Sequence, residues 1–169
     1  MNEKKLLDVM LKLAIEAGEL IMEVYRAEDM GVEAKSDESP VTIADKRADA
    51  HISAGLKAAF PDVALITEEQ AASHKIEADT FLIVDPLDGT KEFINRRSDF
   101  TVNIAFIDKG IPIHGVVYAP AKGRLFITKA GGGARELSGD FAAPGKLAER
   151  DIACAPQSGG SLRVVASKS

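Results

Sequence analysis

The sequence predicts an α+β fold, two helices packed on an antiparallel sheet, and three observations predict it. Two N-terminal stretches repeat apolar residues at helical spacing, and the middle of the chain breaks into short β-rich runs between glycine turns. The helical and strand-like segments are also grouped rather than alternating, which is the layout of an α+β layer. At 169 residues there is room for one domain with a proper core. Apolar residues are 46% and charged residues 28%, the balance of a folded chain rather than a disordered one. With 5% aromatics and no tryptophan, that core must be aliphatic.

Leu6, Leu7, Met10, Leu11, Ala14, Ala17, Gly18, Ile21, Met22 and Tyr25 mark a one-sided helix of about six turns, ending near the Asp29–Gly31 breaker. Residues 31–40 are polar and read as a loop closing on Ser39-Pro40. Thr42 is placed to cap a second helix that Pro61 stops near Phe60. Val63 to Thr67 and Phe81 to Val84 read as buried strands. Phe100 to Ile107, Ile113 to Tyr118 and Leu125 to Thr128 follow as a meander, with turns at Asp108-Lys109-Gly110 and Ala121-Lys122-Gly123. Gly131-Gly132-Gly133 is a turn before Ala134 to Leu137 and, with no helix behind it, a weak phosphate loop. From Ser138 to Gly160 the composition is loop-like, and Leu162 to Ala166 begins another strand. A chain that stops just after a fresh strand is expected to be cut short.

A net charge of −5 argues against a nucleic-acid polymer as partner, although metal ions can make an acidic site attract phosphate. The single cysteine, Cys154, forms no internal disulfide and is expected to be a small half-buried residue. Met1 to Lys5 is charged and runs into an amphipathic pattern rather than a signal segment, and no run is long enough to span a membrane. A cytoplasmic location is expected, with only peripheral membrane association left open. His51, His74 and His114 lack metal-ligand spacing.

The chemistry centres on Val84-Asp85-Pro86-Leu87-Asp88-Gly89-Thr90, where an apolar strand emerges into two aspartates three positions apart. Pro86 fixes the turn so that both carboxylates can face one pocket. Paired hard oxygens suit Mg²⁺, and a bridging carboxylate can hold two ions about 4 Å apart. Gly89 lets its backbone N–H approach an anion, and Thr90 can open a helical turn whose free N–H groups receive phosphate. An Asx-type turn, with the aspartates capping backbone amides, is an equal alternative for this motif alone. Glu68, in Thr67-Glu68-Glu69, ends the preceding apolar strand, and it shares a space with Asp85 if the two strands are neighbours. Asp45, near the start of the second helix, is either a solvated first-turn acid or a base that accepts the Thr90 hydroxyl proton, so that Thr90 orients a metal-bound water. Haloacid-dehalogenase-type phosphatases do not fit. Their two aspartates are separated by one residue, and their motif opens a Rossmann-like domain instead of following two helices.

Ile66-Thr67-Glu68-Glu69 followed by Val84-Asp85-Pro86-Leu87-Asp88-Gly89-Thr90 resembles the signature of the inositol monophosphatase superfamily of lithium-sensitive, Mg²⁺-dependent phosphatases. Lys35 and Asp45 upstream and Phe100-Thr101-Val102-Asn103-Ile104-Ala105 downstream extend the likeness over roughly residues 5 to 130. Asp88-Gly89-Thr90-Lys91-Glu92-Phe93-Ile94 resembles its CysQ branch of 3'(2'),5'-bisphosphate nucleotidases, which take 3'-phosphoadenosine 5'-phosphate to AMP and phosphate.

The resemblance implies the N-terminal part of an αβαβα sandwich of the inositol monophosphatase and fructose-1,6-bisphosphatase type. It implies two or three Mg²⁺ ions, with Glu68, Asp85 and the Leu87 carbonyl on the first and Asp85 and Asp88 on the second. Thr90 with Asp45 would activate the attacking water. Glu68, Asp88, Gly89, Thr90 and Lys91 would border the substrate, with the Gly89 and Thr90 amides seating its phosphate and Lys91 meeting a second one or remaining a solvated charge. Glu69 would sit behind the ligands. Residues 1–160 would form the metal- and phosphate-binding domain, and 161–169 would begin the link to a C-terminal α/β domain. Relatives use a Trp-Asp motif there to complete the second metal site, and this chain has no tryptophan. Little or no turnover is therefore expected of these residues alone. The expected partner is a small phosphate monoester such as an adenosine bisphosphate, and an uncovered apolar face would favour a homodimer. Two other readings remain: an inositol-1-phosphatase or fructose-1,6-bisphosphatase of the same superfamily, and a non-catalytic metal-binding domain.

Overall fold

The computed structural model describes residues 2–34, 40–143, 145 and 147–154. The first helix, α1 (Glu3–Arg26), begins where the Asn2 side chain accepts the Lys5 N–H at 3.0 Å. Glu3 in its first turn and Arg26 in its last both complement the helix dipole. Its apolar stripe, from Leu6 and Met10 to Ile21 and Val24, is buried. The second helix, α2 (Ile43–Ala59), starts at Thr42 as expected and ends at Phe60. The two helices pack closely at Gly55, where a Cβ would stand 2.4 Å from a methyl carbon of Leu13.

Both helices cover one face of a seven-stranded sheet whose order follows the chain. Its strands are β3 (Ala64–Thr67), β4 (Thr80–Asp88), β5 (Thr101–Asp108), β6 (Ile111–Ala119), β7 (Arg124–Thr128), β8 (Ala134–Ser138) and β9 (Ala148–Ile152). Leu82 and Val84, Val102 and Ile104, Val116, Leu125 and Ile127 alternate along successive strands and join the helices in one core, which is not purely aliphatic as expected, because Phe93, Phe100 and Phe106 are buried in it too. On the opposite face Ile83, Ile113 and Val117 are 40%, 45% and 41% exposed. Among the described residues no helix is long and apolar enough to cross a membrane.

The helices, the meander and the Gly131–Gly133 turn lie where the sequence places them. Five expectations need correction. The sheet is mixed, because β3 runs parallel to β4 while every later pair is antiparallel. Helix α1 ends at Arg26, short of Asp29. The loop at 31–40 contains a small antiparallel pair, β1 (Glu33–Ala34) with β2 (Pro40–Val41). The loop-like stretch after Ser138 contains β9, whose Ala148-Glu149-Arg150-Asp151 are all exposed and so show no alternation. Cys154 is exposed rather than half-buried. Lys35, Ser39, Leu162 to Ala166 and the expected link at 161–169 lie outside the described residues.

Leu82 is 1% exposed at the centre of this core. Leu82→Ala should therefore cost about 2–5 kcal/mol in urea unfolding with an unchanged m-value, and a loss below about 1 kcal/mol would show that the β4 face does not anchor the helices.

Candidate active site

On a regular strand, residues three apart point to opposite faces. Asp85 and Asp88 escape that rule because β4 bulges between them. Asp85 pairs with Asn103 and Asp88 with Thr101, so three steps on β4 oppose two on β5. Thr101 and Asn103 share a face, and both aspartates are thereby brought to it. Pro86, which has no N–H to give to a ladder, occupies the bulge. Asn103 Nδ2 donates to Asp88 Oδ2 at 3.3 Å, and the Thr101 hydroxyl lies 3.0 Å from Asn103 Oδ1.

Glu68 arrives from β3. Thr67 pairs with Val84, and the Glu68 N–H donates to the Val84 carbonyl at 3.0 Å, which sets Glu68 beside Asp85. The turn after β3 is held from behind. Ser73 Oγ accepts the Thr67 N–H at 3.0 Å, and Gln70 Nε2 donates to Asp49 Oδ2 at 2.7 Å and to Ser53 Oγ at 3.0 Å. Glu68, Glu69 and Asp49 line one cavity of about 440 Å³. The other Asp49 oxygen is buried with no hydrogen-bond partner among the described residues.

The carboxylates interact strongly. Asp85 is pushed up to about 8, first by burial, then by the charge of Glu68 and a hydrogen bond to it, and then by the charge of Asp88. Asp85 Oδ1 accepts the Leu87 N–H at 3.2 Å, so the Asx-type turn is present as well, and it works against that rise. Glu68 and Asp88 are exposed at the mouth.

Asp45 is 1% exposed, not a solvated first-turn acid. It closes the N-terminus of α2 by accepting the Thr42 N–H at 2.7 Å and the Thr42 hydroxyl at 2.6 Å on Oδ2. Oδ1 is left to accept the Thr90 hydroxyl at 3.1 Å. Burial raises the Asp45 pKa, and its hydrogen bonds to Thr42 and Thr90 oppose the rise. Thr90 opens the short helix α3 (Thr90–Ile94), and its hydroxyl also lies 3.2 Å from the Leu87 carbonyl. Gly89 precedes it with φ of 92°, and a Cβ there would stand 2.7 Å from the Asp99 carbonyl oxygen, so no side chain fits. Lys91 is exposed beside Thr90.

Among the described residues no three His, Cys, Asp or Glu side chains are closed around a single point. The donor set nevertheless fits a hard divalent cation. Glu68, Asp85 and Asp88 bring only oxygens, and their mutual repulsion is what a cation relieves. The profile of the inositol monophosphatase family matches residues 2–157. The chain belongs to that family. It is 44% identical over 137 residues to the 3'(2'),5'-bisphosphate nucleotidase CysQ of Escherichia coli K12, covering 79% of this chain and 56% of that protein. The Nus factor SuhB of the same strain is 37% identical over 132 residues, covering 77% and 49%. The crystal structure of CysQ from Bacteroides thetaiotaomicron superposes with a TM-score of 0.69 at 37% identity, covering 83% of this chain and 51% of that one. The chain thus spans about half the length of the relatives it matches. Phosphatases of the inositol monophosphatase family use divalent metals.

Sequence reasoning gave no role to Asn103 or Thr101. Their signal is polar residues alternating with the buried Val102 and Ile104. It also missed the support from Asp49 and Gln70, which are distant in the chain and adjacent only in the fold.

Asp85 carries a folded-state pKa above its unfolded value of about 3.9, so its contribution to stability is present at low pH and is lost as pH rises toward 8. Thermal melts in EDTA should fall between pH 5 and 8, Asp85→Asn should remove most of that fall, and MgCl₂ should restore the melting temperature more at pH 8 than at pH 5. An equal decline in the variant would contradict the assignment.

Proposed function

We propose that this chain carries the metal- and phosphate-binding part of a Mg²⁺-dependent phosphomonoester hydrolase that removes the 3'-phosphate of 3'-phosphoadenosine 5'-phosphate. The observation that carries the reading is the carboxylate cluster of Glu68, Asp85 and Asp88 beside a hydroxyl already hydrogen-bonded to a buried acid. Glu68, Asp85 and the Leu87 carbonyl would hold one Mg²⁺, and Asp85 with Asp88 would hold another. Bound there, the ions supply Lewis acidity and neutralise charge on the phosphoryl oxygens.

The chain's own groups handle the proton. Thr90 Oγ1 gives its hydrogen to Asp45 and keeps its lone pairs free to accept from the attacking water. As that water forms its bond to phosphorus, its proton passes to Thr90 while the Thr90 proton moves to Asp45. Burial makes Asp45 more basic than a carboxylate in water, which suits it to that step. The bond from phosphorus to the 3'-oxygen breaks in line, and the departing oxygen takes a proton from solvent water to give AMP. No covalent intermediate forms. The Gly89 and Thr90 amides seat the phosphate at the start of α3, and Lys91 faces a second phosphate from its exposed position.

The adenosine bisphosphate is supported by the CysQ relatives, whose name states that activity, and by Lys91-Glu92 after Asp88-Gly89-Thr90. A second reading, a partner-binding role, rests on the relatives named Nus factor SuhB. Asp88→Asn should lower the Mg²⁺-dependent phosphate release of the wild-type protein at least about 100-fold. The wild-type protein should turn over 3'-phosphoadenosine 5'-phosphate faster than inositol 1-phosphate. Faster hydrolysis of the inositol ester overturns the substrate, and an unaffected variant overturns the mechanism.

A further inference from the structure

Asp88 is the less supported of the two acids on β4. It is exposed, and its carboxylate takes a single hydrogen bond among the described residues, from Asn103 Nδ2 to Oδ2 at 3.3 Å. Asp85, by contrast, is half-buried and held by the Leu87 N–H. A side chain that turns freely must be ordered whenever it binds a cation, and that ordering opposes binding. Whatever fixes Asp88 beforehand therefore strengthens the site.

Asn103 is placed to do so. It stands on β5 directly across from Asp85, while Thr101 stands across from Asp88, and both are half-buried. Its chain neighbours Val102 and Ile104 are 0% and 1% exposed, which anchors this stretch of backbone in the core. The two partners of the amide set its direction. A carboxylate accepts and does not donate, so the amide nitrogen faces Asp88. The amide oxygen is thereby turned to the Thr101 hydroxyl, which donates to it at 3.0 Å. Flipping the amide would set oxygen against oxygen at Asp88. The hydrogen bonds therefore run one way, from Thr101 through Asn103 to Asp88 Oδ2.

We propose that Asn103 is a positioning residue for the cation site, holding Asp88 through Oδ2 so that Oδ1 is left for the ion shared with Asp85. The inference rests on the reading of Glu68, Asp85 and Asp88 as cation ligands, and it adds a neutral residue that acts through Asp88. Thr101 contributes one step further back, by fixing which end of the amide meets the carboxylate.

The residue type suits the task. Glu68, Asp85 and Asp88 already concentrate negative charge, and an aspartate at 103 would add to it with no hydrogen to give. A lysine would pair with Asp88 and repel the incoming ion. An amide donates without charge, so it orients the carboxylate and leaves its attraction for a cation intact. Groups behind a metal ligand commonly act in this way, by fixing the ligand's direction.

Manganese binding to the metal-free 169-residue chain, with the free ion read by electron paramagnetic resonance, tests this in a double-mutant cycle. Asn103→Ala should bind manganese about tenfold more weakly than the wild type. Asp88→Ala should also weaken binding, and adding Asn103→Ala to it should bring no further loss, because the group that Asn103 orients is already gone. A merely structural role for Asn103 would instead weaken binding by the same factor in both backgrounds. Thr101→Val keeps a β-branched strand residue and removes only the hydroxyl. It should weaken binding about threefold, again only where Asp88 is present, and it decides the matter if Asn103→Ala melts below the assay temperature. Wild-type affinity in both Asn103→Ala and Thr101→Val beside weakened binding in Asp88→Ala, or equal losses with and without Asp88, overturns the proposal alone. A wild-type chain that binds no manganese, or wild-type affinity in Asp88→Ala, overturns the reading of the cation ligands and the proposal with it.

Discussion

A single extra residue in β4 decides what this domain can hold. Without the bulge at Pro86 and Leu87, Asp88 would turn toward the helices and into an apolar core, where an ionised carboxylate is heavily penalised. With it, Asp85 and Asp88 share the open face, and the strand ends in the left-handed Gly89 that starts α3. The bulge therefore sets the direction of both acids and the position of the Thr90 hydroxyl at once. It also places Asn103, directly across from Asp85, within reach of Asp88.

The other parts converge on that point by separate routes. The parallel β3 delivers Glu68 next to Asp85, and the 3₁₀ turn Ala71–Lys75 with Gln70 keeps its loop in place. Helix α2 brings Asp45 by using it as a cap, so a residue that secures the helix terminus also accepts from Thr90. The arrangement concentrates negative charge and buries part of it. Asp85 bears the strain, since burial and its two acidic neighbours all favour its protonated form. A site of this kind is unfavourable for folding alone and favourable for binding a cation, a trade common where function opposes stability.

Much of this was legible in the sequence because local chemistry dictates it. The helical stripes of α1 and α2, the Thr42 cap, the glycine turns of the meander and the ends of β3 and β4 are all written in short-range patterns. The meeting of Glu68 with Asp85 was conditional on strand order, which short-range patterns leave open. β9 escaped because an edge strand of Ala-Glu-Arg-Asp, exposed throughout, lacks the alternation that marks a half-buried strand. Asn103, Gln70 and Asp49 escaped for another reason: each matters only through a partner at least 15 positions away in the chain. The parallel pairing of β3 with β4 is likewise a property of topology rather than of any segment.

The convergence of Glu68, Asp85 and Asp88 on shared cations is tested most directly by crystals soaked in MnCl₂ and measured for anomalous scattering. Manganese peaks within about 2.5 Å of oxygens from all three residues, with Asp85 touching two peaks about 4 Å apart, are the predicted result. A map with no peak at these carboxylates, or with manganese bound only elsewhere on the chain, would contradict it.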